Sequence, residues 1–358
     1  MVSFVRFEGE YPFVKQNTSQ EQSKRYDAPL RDGGFSCTAD DGLSLLDTLI
    51  LSQWEERAWM GQLSYDVTSC ETKIVGRRKL IAQLNEEWNS NFSKEFEKKA
   101  FQPSGGNVKP SFLKNNREEI LFCVASGERE RSMFVPLIAA PQDGILVIVN
   151  PNPIEYGHIF LVPYHLHQRT QAISGALLSI SQIADEVNNF SFRIFFDYFS
   201  ATNMDRTYFQ AIYSANPLPV ELLPIIPIYG SSHIDGIQIL EVADYPLNAL
   251  VFVSKNLKKL AHAVGEICST LQRRSTVFNL LISDCGTKMF LFPQVHLLVT
   301  GRHLHAWECG GYFLYSKSSD FDDASEPEIS ERLASVSMDA EGFQSLKQLC
   351  CGLTAMVS

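Results

Sequence analysis

"RTYFQ", residues 206–210, brings a phenol oxygen at Tyr208, a fixed positive charge at Arg206 and a neutral amide at Gln210 into one short stretch. A tyrosine can act as a nucleophile, but with a pKa near 10 only about one phenol in a thousand is ionised at pH 7. Arg206 is the neighbour that would lower that pKa by proximity. A neutral imidazole would serve better at this pH, yet "SATNMDRTYFQAIYSANPLP", residues 200–219, contains no histidine.

The histidines stand elsewhere. His158 heads an apolar run in "EYGHIFLVP", while His165 and His167 in "PYHLHQ" follow that run and are expected on a surface loop. His303 and His305 in "GRHLHAW" share the same alternate spacing. No cluster of His, Cys and Asp supports either pair, so neither a metal nor a cofactor is assigned. The eight cysteines are scattered without a C-x-x-C pair, which fits reduced thiols in a cytosolic protein.

Elements must place these groups. "LSLLDTLILSQWEERAWM" has Leu45, Leu46, Leu49, Ile50, Trp54, Ala58 and Trp59 at three- and four-residue spacing, which predicts a helix with both tryptophans in the core. Gly76 joins two short β-like runs into a hairpin, and residues 89–118 read as an internal loop. "EILFCVAS", "MFVPLIAA", "GILVIVN" and "HIFLVPY" predict strands, "GALLSISQIADEVNNF" an amphipathic helix, and "SFRIFFDYF" and "YFQAIYSA" two strands flanking the loop that precedes Tyr208.

The proline-dense "NPLPVELLPIIPIYG" is expected to hold no regular structure, and a domain boundary is placed near residue 230. The grammar then repeats as strands, a helix over "NLKKLAHAVGEICSTLQRR", a hairpin turning at Asp284 to Gly286, and helices around 326–336 and 340–351. Hairpins without βαβ crossovers predict an α+β fold with mainly antiparallel sheets flanked by helices. The domains are residues 1–42 as an arm, 43–230 with the chemical site, and 231–358.

Composition bounds the function. The chain has 358 residues, 45% hydrophobic and 20% charged, with a formal net charge of −10. A net acidic surface disfavours nonspecific nucleic-acid or anionic-membrane binding. No run of about 18 apolar residues offers a membrane span, and the opening "MVSFVRFEGEYPFV" does not read as a secretory leader.

Five blocks in order, "LSQWEERAWMGQLSYDVTSCETKIVGRRKLIAQLNEE", "NPNPIEYGHIFLVP", "YFQAIYSANPLPVE", "FNLLISDCGTKMFLFPQ" and "AWECGGYFLYSKSSDFDDASE", resemble the GDP-L-galactose phosphorylases and the related GDP-D-glucose phosphorylases of the histidine-triad superfamily. The resemblance spans roughly residues 43–350. It implies two histidine-triad-like halves and the reaction of GDP-L-galactose with phosphate to L-galactose 1-phosphate and GDP, a step of plant ascorbate synthesis. The family works through a guanylyl-histidine carried in a His-x-His-x-Gln pattern. Aligned on Phe-Gln-Ala, Arg206 stands for the first histidine and Tyr208 for the nucleophile, while Gln210 is kept to contact the transferred phosphate.

The resemblance also places His158, Asn203, Asp205 and Asn85 at the nucleotide. The loop before Arg206 lacks the family's glycine. At "LNEEW", Glu87 replaces a glycine and Trp88 an arginine, so a carboxylate has come where a diphosphate would lie and a cation has gone. The reading is a cytoplasmic protein, with the nucleus a second compartment, that is a catalytically impaired relative of the phosphorylases and acts as a binding or regulatory protein. GDP or GDP-hexose would bind with weakened affinity, and an active phosphorylase is the protein partner or dimer mate; nucleic acid and membrane are not expected as partners. The alternative is an active GDP-hexose phosphorylase or guanylyltransferase using Tyr208 or another nucleophile.

Overall fold

α1, Leu45–Trp59, starts at Ser44, whose hydroxyl accepts from the Asp47 amide and whose neighbouring turn leads an apolar stripe into the core. A computed structural model describes residues 44–89, 96, 119–126, 132–135, 143–165, 173–199, 207–230, 235–295 and 303–357. The arm at residues 1–42 lies outside them. α1 buries Leu46, Ile50 and Trp54, but Trp59 is 94% exposed, against the expectation of two core tryptophans. Five residues of helix turn Trp59 about 140° away from Trp54, off the buried stripe.

The hairpin β1 (Thr72–Val75) and β2 (Leu80–Leu84) forms as expected, with Gly76 at φ +69° in its turn. There follow β3 (Ile120–Ser126), β4 (Ser132–Val135), β5 (Asp143–Val149), β6 (Ile159–His165), α2 (Ile173–Val187), β7 (Phe192–Tyr198) and β8 (Phe209–Tyr213). The second half gives β9 (Ile225–Gly230), β10 (Gln238–Val242), β11 (Leu250–Val253), α3 (Leu257–Arg273), β12 (Val277–Ser283) and β13 (Lys288–Gln294). A short α4 (Ala306–Cys309), β14 (Tyr312–Tyr315) and helices α5 (Ser318–Asp322), α6 (Glu326–Val336) and α7 (Ala340–Val357) complete the described chain.

Eleven of the described strands join one sheet in the order β4-β3-β5-β6-β8-β7-β12-β13-β11-β10-β9, and β1-β2-β14 make a second. Every pairing in the large sheet is antiparallel. The order contains its own repeat: β5-β6-α2-β7-β8 is matched by β10-β11-α3-β12-β13, and the two meet where β7 pairs with β12. The fold is therefore α+β and two-halved. Helices α1, α2, α3 and α7 cover one face through the largest apolar cluster, and the small sheet with α4 and α6 covers much of the other.

β9 corrects the expectation that the prolines exclude regular structure. Among the described strands it pairs only with β10 and ends the sheet, so Pro227 removes no interior hydrogen bond there, and the register slips beside it between Ile239 and Leu240. Within the stretch read as a loop, Phe96 is buried and stacks on Phe160, so that segment reaches the core at least there.

Candidate functional site

Tyr208 and Gln210 straddle the start of β8, between β6 and β7. Alternation puts both on the sheet face away from α2, since the intervening Phe209 packs in the helix-side cluster. The Tyr208 ring is half-buried and lies edge-on to Phe96 at 5.5 Å and to Phe160 at 5.8 Å between centroids. Position 208 is thus part of an aromatic cluster.

Gln210 is buried and opposite Phe160 on β6 and Phe195 on β7. Its Oε1 lies 3.1 Å from Nε2 of His158. The Ile154 amide donates to His158 Nδ1 at 3.0 Å, so the ring proton sits on Nε2 and is donated to Gln210. Burial pushes the His158 pKa down to about 3, with the Gln210 bond acting the other way, and the imidazole is neutral at pH 7. His158 therefore positions Gln210 and shapes the turn 150–158 without carrying charge.

That turn reaches the segment that follows β2. Asn150 Oδ1 accepts from the Asn152 amide, and Asn152 exchanges hydrogen bonds with the backbone of Asn89 at 3.0 and 3.1 Å. Asn85 is buried and donates its amide to the Tyr315 carbonyl, Glu87 is exposed, and Trp88 packs against the apolar cluster that holds Tyr312 and Ile154. Burial raises the pKa of Tyr65 and of Cys70, and the charge of Glu87 adds a smaller upward push to each. Nearby, burial also raises the pKa of Glu155, whose carboxylate accepts from Tyr312 at 3.1 Å. The structure joins His158 to Gln210, packs Trp88 in the cluster that holds Ile154 and sets Tyr208 against Phe160; Asn203, Asp205 and Arg206 lie outside the described residues, as does His167. His165 ends β6, paired in the backbone with Asp143.

A neighbouring constellation was not singled out from sequence. Asp197 on β7 accepts from His305 Nδ1 at 2.8 Å through one carboxylate oxygen and from the Ala306 amide at 2.8 Å through the other. The His305 ring stacks on Trp307 at 4.3 Å and 11°, and the His303 ring lies 3.8 Å from that of Phe199, tilted by 31°. Below them, Asn279 and Gln294 donate to the Leu304 carbonyl and to the Cys309 thiol, fixing the segment 304–309 against the sheet. The sequence signal was the pair His303 and His305; its carboxylate partner lies 108 residues away. Among the described residues no group of three or more His, Cys, Asp or Glu is placed to hold a metal, and no helix is long and apolar enough to cross a membrane.

Family models described as "GDPGP1-like, N-terminal domain" and "GDPGP1-like, C-terminal domain" match residues 45–212 and 219–356. GDP-L-galactose phosphorylase 1 of Arabidopsis thaliana is 32% identical over 327 residues, covering 86% of this chain and 73% of that protein. GDP-D-glucose phosphorylase 1 of Homo sapiens is 26% identical over 247 residues, 67% of this chain and 61% of that protein. In architecture, yeast Ap4A phosphorylase Apa2 superposes with a TM-score of 0.53 at 12% identity, covering 82% of this chain and 98% of that one. With both halves matched in order and a relative at this identity along most of its length, the chain belongs to the GDPGP1-like family, with the GDP-L-galactose and GDP-D-glucose phosphorylases as its relatives.

Proposed function

We propose that this chain is a member of the phosphorylase family that has given up guanylyl transfer through β8 and acts by binding, as a regulatory protein for an active phosphorylase in the cytoplasm. One observation carries the reading: the ring at position 208 is a tyrosine packed against Phe96 and Phe160, where an imidazole would be needed. Glu87 and Trp88 support it, since a carboxylate and an indole weaken the hold on a diphosphate. GDP and GDP-hexoses remain the ligand class, bound weakly.

The test is GDP release from GDP-L-galactose and from GDP-D-glucose with phosphate, comparing the unaltered chain with the double variant Arg206→His, Tyr208→His. The unaltered chain is expected to be slower by at least about a thousandfold, the ionised fraction of an unactivated phenol. Turnover by the unaltered chain at the variant's rate would overturn the reading, while silence from both would extend the loss to the loop before Arg206 and to Glu87 and Trp88. A rate lost in Tyr208→Phe would instead favour the alternative, an active GDP-hexose phosphorylase with a tyrosine nucleophile, for which the half-buried position of Tyr208 beside Gln210 is the supporting observation.

A further inference from the structure

We propose that the small sheet, on the side that faces the turn 150–158, binds a small organic ammonium ion that also carries a hydroxyl group, through Gln83, Asn85, Glu87 and Glu155. The inference goes beyond the reading above and does not depend on whether GDP binds.

The strand register assembles these groups. Side chains alternate along β2, so Ile81, Gln83 and Asn85 share one side. Tyr312 stands beside Ile81 on β14, and its phenol donates to Glu155, so that side faces the turn. Thr72 pairs with Gln83, and the Leu84 amide then donates to the Glu71 carbonyl, which sets Cys70 opposite Asn85. Tyr65 ties the same set to the turn by donating to the Pro153 carbonyl at 2.6 Å.

Two buried atoms in this set are unmet. Gln83 Oε1 and Asn85 Nδ2 belong to side chains only 2% and 3% exposed and close no hydrogen bond of ordinary geometry, although Asn85 lies against the Tyr65 phenol. Buried polar atoms are nearly always paired. An unmet acceptor and an unmet donor, two residues apart on one side of a strand, therefore point to a ligand that supplies both partners.

The charge decides what kind of ligand. Burial raises the Cys70 pKa, and the charges of Asp66, Glu155 and Glu87 raise it further, so three carboxylates act on one point. Among the described residues, the groups that act on Tyr65, Cys70, Glu155 and Tyr312 include no lysine or arginine. Such a field attracts a cation and repels a phosphate. Among the described residues no three His, Cys, Asp or Glu are placed to hold a metal, which leaves an organic cation. Its three N–H donors match Glu87, Glu155 and Gln83 Oε1, and its hydroxyl oxygen accepts from Asn85 Nδ2.

The experiment is calorimetry on the full chain in dilute buffer, where screening is least. D-glucosamine and ethanolamine are the probes, one an amino sugar and the other an open-chain amino alcohol, with D-glucose as the uncharged match. At least one amine is expected to bind with one equivalent per chain, at least about tenfold more tightly than D-glucose, and whichever binds identifies the source. Glu87→Gly, at an exposed position, and Glu155→Gln are each expected to weaken it about tenfold with the melting profile in place. Absence of binding by both amines, equal binding of D-glucose, or affinity indifferent to Glu87→Gly overturns the inference.

Discussion

His158 shows what a single buried imidazole does to the whole chain. Its folded pKa lies near 3, below the ordinary 6.5, chiefly because burial disfavours the cation. Its contribution to stability is then fully present above pH 6.5 and is lost as pH falls from there toward 3, because the unfolded chain takes up a proton that the folded one refuses. Between pH 7.5 and 5.5 the unaltered chain should lose about 1 kcal/mol more than His158→Gln, read from urea midpoints at the two pH values. Equal losses would show that the imidazole is not held neutral. The motif made His158 and Gln210 candidates, but the bond between them spans 52 residues and follows only from the pairing of β6 with β8.

At the scale of elements, α2 and α3 approach closely enough to need a glycine. A Cβ on Gly265 would lie 2.7 Å from Cα of Ser174, a backbone atom that cannot swing aside. Gly265→Val is therefore expected to destabilise by about 1–3 kcal/mol. Chemical denaturation checks it, and an unchanged midpoint would mean that the helices can separate at no cost. The helix itself was legible from Leu257, Leu260, Val264, Ile267 and Leu271, of which all but the half-buried Leu257 are buried. The close contact was not, because spacing in one helix says nothing of which small residue its neighbour presses against. β9 and Trp59 failed for the same kind of reason: edge position excuses Pro227, and phase round the helix carries Trp59 into solvent.

For the molecule, the junction of β7 with β12 is decisive. Every residue of β12 is buried, and its pairing with β7 makes one sheet of the two halves. We expect residues 43–230 and 231–358 expressed separately to aggregate, since each would expose a long apolar edge strand. We also expect the joined unit to unfold with coincident far-ultraviolet circular dichroism and tryptophan fluorescence transitions. Soluble, separately folded halves would refute the first expectation, and two resolved transitions the second.

By itself the sequence determined the α+β class, most of the strands and helices, and the family. These follow from local periodicity and from motifs whose residues are close in the chain. Only the tertiary structure decided that Tyr208 is held among Phe96 and Phe160, that Gln210 is satisfied by a neutral His158, and that Asp197 meets His305. Each of those depends on which strands lie side by side, and strand order joins residues tens to more than a hundred positions apart without leaving a periodic trace in the chain.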